Sequence, residues 1–160
     1  MKKEKQSTLE GLEGIFPPPL VVLALSILGL GLQWHKPLVF QENHRSYWLY
    51  VGIILVILSG ILAFSARQIM RIQRTPIIFS MPTTVIVSKG PFRFTRNPLY
   101  LSLVMLYAGV GVVANSLWFA LLLGGLIFFL RIVILREEEY LEHKFGNEYV
   151  LYKSTVRRWL

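Results

Sequence analysis

The sequence predicts an all-α integral membrane protein, a helical bundle of about four transmembrane helices followed by an amphipathic helix at the cytoplasmic surface. Three observations carry this. First, 54% of the 160 residues are hydrophobic and the mean hydropathy is +0.52, more apolar surface than a soluble domain of this size can hide. Second, the apolar residues are gathered into long runs rather than dispersed. Third, fifteen of the seventeen lysines and arginines fall on one side of the membrane those runs imply. The net charge of +8 therefore reads as positive charge at the cytoplasmic face, not as a nucleic-acid surface. The chain has no cysteine, which excludes disulfides, thiolate nucleophiles and cysteine metal sites.

The first span is expected over 16–32, opened by Pro17-Pro18-Pro19 where missing backbone donors cost least. The charged stretch before it, with no small-residue cleavage site after it, does not read as a signal peptide. The second span is expected over 49–64, the third over 99–114 and the fourth over 117–135. Each is near, or a little short of, the ~20 residues a helix needs to cross. Only Asn115-Ser116 separates the last two, which must form a tight antiparallel hairpin.

Lys2, Lys3 and Lys5 precede the first span. Arg67, Arg71, Arg74, Lys89, Arg93 and Arg96 lie between the second and third, and Arg131, Arg136, Lys144, Lys153, Arg157 and Arg158 come from the fourth onward. Only Lys36 and Arg45 lie opposite, so both termini and the middle segment are expected in the cytoplasm. Trp34, Tyr47, Trp48, Tyr50 and Trp118 fit an aromatic belt at the other interface. Glycines within the spans mark close helix packing. After the fourth span, Leu141, Phe145 and Tyr149 recur every four residues, with Glu138 and Glu142 on a neighbouring face. That pattern predicts an amphipathic helix on the cytoplasmic face, with Gly146 a candidate break.

Two polar stretches flank the hairpin and are returned by it to the same face. In the first, Thr83-Thr84-Val85-Ile86-Val87 is a β-branched run between Pro82 and Gly90 and is expected to be extended. Such backbone near a membrane either lines a protein cavity, where it can meet a polar cofactor, or is a solvated loop. Asn97 then stands at an N-cap position and Pro98 opens the third helix. Arg96 reinforces the anion-attracting helix start, and Tyr100 follows on the same side.

In the second stretch, Glu137, Glu138 and Glu139 close a transmembrane helix, where acidic groups oppose the helix dipole and call for compensation by arginines or a cationic ligand. Arg131 lies seven residues before Glu138, on nearly the same helix face. It is either functional or snorkels to the interface, and Arg131 and Glu138 are the candidate catalytic residues. His35, His44 and Glu42 match no metal-ligand spacing, and His143 reads as a surface residue, so no metal is expected.

Taken together, Gly90-Pro91-Phe92, Arg96-Asn97-Pro98-Leu99-Tyr100, and Glu137-Glu138 followed by Leu141, Phe145-Gly146, Tyr149 and Tyr152 resemble the isoprenylcysteine carboxyl methyltransferase family. That family of integral membrane enzymes is related to the phospholipid methyltransferases. The resemblance covers 83–159 of a chain read as one domain, 1–160. It implies S-adenosylmethionine as cofactor, held at the cytoplasmic face by Thr84, Val85, Ile86, Val87, Phe92, Arg96, Asn97, Pro98, Leu99, Tyr100 and Glu137. It also implies a methyl acceptor that is lipophilic or lipid-linked, such as an isoprenylcysteine carboxylate or a phospholipid amine.

Two positions depart from the family pattern. Asn97 replaces a histidine and cannot titrate near neutral pH. Val133 stands where members that methylate a prenylcysteine carry an arginine. Alternative expectations are an NADPH-dependent membrane reductase of similar fold, and a non-catalytic membrane protein that retains the fold.

Overall fold

The computed structural model describes residues 16–40, 45–73 and 85–159. Among these the chain is an all-α membrane bundle. Its helices are α1 (Pro18–His35), α2 (Arg45–Ile72), α3 (Pro98–Val113), α4 (Leu117–Phe145) and α5 (Asn147–Thr155), with a 3-10 turn (Gly90–Arg93) ahead of α3. Three of them, α1, α2 and α4, are long and apolar enough to cross a membrane, and α3 is a shorter apolar helix.

The helix starts follow local chemistry. Prolines occupy the first turns of α1 and α3, where a missing N–H leaves no intrahelical bond unmade. Between α3 and α4 the backbone turns at Asn115, whose φ of 49° lies in the left-handed region that asparagine, like aspartate and histidine, enters more readily than other non-glycine residues. The two short connections meet at this end. Leu117 N donates to Leu38 O at 2.9 Å, and Trp118 Nε1 donates to Lys36 O at 2.9 Å. Trp34, Tyr47 and Tyr50 are exposed at the same end.

α3 is the centre of the packing, with α2 on one side and α1 and α4 on the other. A Cβ added at Gly52 of α2 would lie 2.9 Å from the carbonyl oxygen of Gly109 on α3, and one at Gly109 would lie 3.0 Å from that of Gly52. These backbones touch because neither residue has a side chain. The core is built from Val22 of α1, Tyr100 and Tyr107 of α3, and Phe119, Leu126, Leu130, Val133 and Ile134 of α4. Ile53, Ile54, Ile57, Ile61 and Phe64 of α2 point outward, as a lipid-facing surface requires.

Two expectations about length change. α2 has 28 residues and α4 has 29, well beyond the expected 49–64 and 117–135. The hydrophobic run ends where expected, but arginine, glutamate, glutamine and methionine are good helix formers, and nothing breaks either helix at the end of its run. The amphipathic segment is divided: Leu141 and Phe145 continue α4, and Tyr149 belongs to α5. The break is Gly146, whose φ of 55° and ψ of −130° suit glycine almost alone. The basic residues Lys2, Lys3, Lys5 and Arg74, together with Glu42, His44, Thr83 and Thr84, lie outside the described residues.

Candidate active site

The two motif stretches come together at the end of the bundle that holds the start of α3 and the end of α4. Ahead of α3, Gly90 has φ of 60°, and a Cβ there would lie 2.9 Å from Ile69 Cγ1 of α2. Glycine is needed for both reasons, and it lets the 3-10 turn lie flat on α2. Residues 85–88, before that turn, have no regular structure. Val87 is buried, Ile86 half-buried and Val85 exposed. Phe92 is half-buried, and its carbonyl accepts a hydrogen bond from Tyr152 Oη of α5 at 2.8 Å. Burial pushes the Tyr152 phenol up to about 12, with the nearby Arg96 guanidinium opposing. It therefore stays a donor at any physiological pH.

Asn97 is buried at the N-cap position of α3 but does not cap the helix with its side chain. Its Nδ2 donates to the carbonyl of Arg158 at 3.0 Å. Thr95 Oγ1 donates to the same carbonyl at 3.1 Å, and Arg96 N donates to Arg157 O at 2.9 Å. The start of α3 thus keeps its positive dipole end without a side-chain acceptor. Arg96 adds a full charge there. Its side chain is 8% exposed; one terminal nitrogen stands 3.4 Å from Glu138 Oε1, an ion pair short of a hydrogen bond, and its Nε has no hydrogen-bond partner among the described residues. A buried guanidinium N–H left so is costly, and it is a donor that an anion can take.

The carboxylates divide their work. Tyr100 Oη donates to Glu137 Oε2 at 2.9 Å, which joins α3 to α4. Glu138 is buried and takes the Arg158 guanidinium on both oxygens, at 3.0 Å from Nε and 2.8 Å from a terminal nitrogen. Arg96 stands 3.4 Å from the same carboxylate. The compensation that the acidic helix end calls for is supplied by arginines distant in sequence. The bidentate bond to Glu138 holds the Arg158 guanidinium even further above the usual arginine range. Tyr149, 2% exposed beside this cluster, has its phenol pushed up by burial, then by the charge of Glu138.

The structure brings Arg96, Asn97, Pro98, Tyr100, Glu137 and Glu138 to one place, with Leu99 half-buried beside them. Arg131 is not part of that cluster. It is exposed on α4, seven residues from Glu138, or about 10 Å along the axis. Val133, which stands at the family's arginine position, is fully buried in the core between helices. The residue that the motifs did not single out is Arg158. Sequence reasoning counted it only as one positive charge, and no spacing rule links it to residues 95–97. Thr84 lies outside the described residues. Among the described residues no cluster of three or more metal-ligating side chains occurs.

Comparison with known proteins places the chain in a family. No solved structure gives a significant match. An uncharacterized protein of Haemophilus influenzae is 44% identical over 68 residues, which are 39% of this chain and the whole of that protein. The phospholipid methyltransferase family matches over residues 47–148, from the start of α2 through α4 into α5. The chain therefore belongs to the phospholipid methyltransferase family.

Proposed function

We propose that this protein transfers a methyl group from S-adenosylmethionine to a lipophilic acceptor at the cytoplasmic face of a membrane. The observation that carries the proposal is the pairing of Tyr100 with Glu137 beside the buried Arg96, which is ion-paired to Glu138 at 3.4 Å but keeps an unbonded Nε among the described residues, at a helix start whose own side-chain cap is turned elsewhere.

The donor set suits this cofactor. Arg96 and the free N–H groups of the first turn of α3 match an amino-acid carboxylate. Glu137 keeps acceptor capacity beyond the bond from Tyr100 and suits hydroxyl or ammonium donors. The backbone groups of 85–88 make no backbone–backbone hydrogen bond with other described residues and can serve a base edge. When bound, S-adenosylmethionine supplies an electrophilic methyl on a sulfonium.

The protein's part is to hold, orient and keep dry. Attack by an anion on a cation neutralises charge, and a low-dielectric site favours that over water. Holding the reacting atoms in line supplies much of the rate without a strong base. Asn97 cannot serve as such a base. Glu138, locked between Arg158 and Arg96, keeps the walls of the site in place. Arg131 lies outside the cofactor residues, toward the membrane, where it suits an anionic group on the acceptor. The outward apolar faces of the helices leave a lipid acceptor free to approach sideways.

The test is titration of purified protein, in nanodiscs, with S-adenosylhomocysteine and separately with NADPH. Saturable S-adenosylhomocysteine binding that weakens in Glu137→Gln and Tyr100→Phe is expected. Tight NADPH binding with none of S-adenosylhomocysteine would sink the proposal in favour of a reductase. Binding of neither would mean a fold without the enzyme.

A further inference from the structure

Residues 156–159 carry a role that the motifs do not assign. α5 ends at Val156, whose φ of −120° and ψ of 133° turn the chain from helix to extended backbone. The strand-like strap then lies along the turn before α3. The carbonyl of Arg157 accepts from Arg96 N at 2.9 Å, and that of Arg158 accepts from Thr95 Oγ1 at 3.1 Å and Asn97 Nδ2 at 3.0 Å. Thr95 Oγ1 also accepts from Asn97 N at 3.2 Å, which closes the turn on itself. Trp159 packs against the buried core.

Arg158 is the centre of this arrangement. Its carbonyl holds the residues that begin α3, and its guanidinium forks onto Glu138 of α4 at 3.0 and 2.8 Å. It crosses the same gap as the Tyr100–Glu137 hydrogen bond. Asn97 is three residues before Tyr100, and Glu138 is the residue after Glu137. α3 and α4 are otherwise joined covalently only at their far end. The 16 residues of α3 put that joint about 24 Å away. The free end of the hairpin is held by core packing, by the Tyr100–Glu137 bond and by the Arg96–Glu138 ion pair at 3.4 Å, and the half-buried bidentate fork of Arg158 is the strongest polar tie among them.

We propose that Arg158 is a positioning residue. Through the 156–159 strap it sets the spacing of Tyr100 and Glu137, and so the width of the cofactor site, without touching cofactor or acceptor. The inference rests on the proposed function for its consequence but not for its geometry, and the experiment separates the two.

The natural chain has no cysteine, so a Phe94→Cys, His143→Cys pair, both exposed, can carry nitroxide labels that report the separation of α3 and α4 by pulsed electron resonance. Arg158→Ala is expected to lengthen and broaden that distance. Arg158→Lys keeps the charge but not the fork and is expected to fall between Ala and wild type. Thr95→Val removes one strap contact and covers the case in which Arg158→Ala does not fold. It is expected to broaden the distribution modestly. Lys153→Ala breaks the exposed Lys153–Glu142 pair between α5 and α4 and is expected to leave the distance unchanged.

S-adenosylhomocysteine affinity, measured well below the melting temperature, is expected to fall by about tenfold or more in Arg158→Ala, as for a misplaced supporting residue. A distance unchanged in both Arg158→Ala and Thr95→Val overturns the inference, as does wild-type affinity in a folded Arg158→Ala protein. A distance that widens in a protein that binds no S-adenosylhomocysteine even as wild type overturns the proposed function and leaves Arg158 as the tie between the helices.

Discussion

At the scale of single residues, the site separates two adjacent glutamates that the sequence presents as equivalent. Glu137 faces the start of α3 and holds a neutral donor, whereas Glu138 is neutralised by two guanidiniums. Glu137→Gln keeps the shape and removes the charge. Loss of a charged acceptor is worth ~1.5–3 kcal/mol, so cofactor affinity is expected to fall about tenfold to a hundredfold in a binding titration. Tyr100→Phe is expected to cost less, and the double variant less than the sum, because the two form one unit. Arg131→Ala is expected to raise KM for an anionic acceptor and leave S-adenosylhomocysteine affinity as it was; equal loss of both would place Arg131 in the cofactor pocket. Tyr100 and Glu137 were legible because each lies inside a motif. Arg158 was not, because its partners are 20 and more residues distant and no periodicity connects an extended strap to a turn.

At the scale of elements, helix starts were easier to foresee than helix ends. Prolines and a short polar linker mark the starts of α1, α3 and α4 chemically. The ends of α2 and α4 lie where hydrophobicity has already stopped but helix propensity has not. Gly146 shows what does stop α4. Nothing lies within 4 Å of a Cβ added there, so the demand for glycine is conformational and not steric. Gly146→Ala is expected to destabilise the protein by ~1–3 kcal/mol, read as a lower midpoint in denaturation. It would also pull α5 out of line with the 3-10 turn, which a loss of amide protection at residues 92–95 would report. An unchanged midpoint would mean that α5 docks without the sharp turn.

At the scale of the whole molecule, the bundle has two unlike ends. One holds the aromatic residues Trp34, Tyr47 and Tyr50 and the paired short connections. The other gathers the arginines, the glutamates and both motif stretches. If the basic end is cytoplasmic, as we propose from the charge asymmetry, single cysteines placed at Phe94 and at Trp34 should react with an impermeant maleimide from opposite sides of oriented vesicles. Labelling of Phe94→Cys from outside intact cells would reverse the assignment. The all-α class and the pairing of the hairpin were readable from hydropathy and from a two-residue linker. The close contact of Gly52 with Gly109 was not, since several glycines in the spans offer themselves equally and only the packing chooses among them.

α4 is long for its task. At about 1.5 Å per residue, its 29 residues reach roughly 44 Å, against about 30 Å of hydrocarbon. The excess carries Glu137 and Glu138 on a stiff rod out to the boundary between oil and water. Their depth is then set by how thick the surrounding lipid is, because a rigid span adjusts to a mismatched bilayer by tilting or by drawing its polar end inward. On the proposed function, bilayer thickness is expected to tune activity. Reconstituted into phosphatidylcholine vesicles of increasing acyl length, the protein should show an activity maximum and a fall in the thickest membranes, where the carboxylates are drawn toward hydrocarbon. A flat profile would show that the rod slides freely and that its length carries no such information.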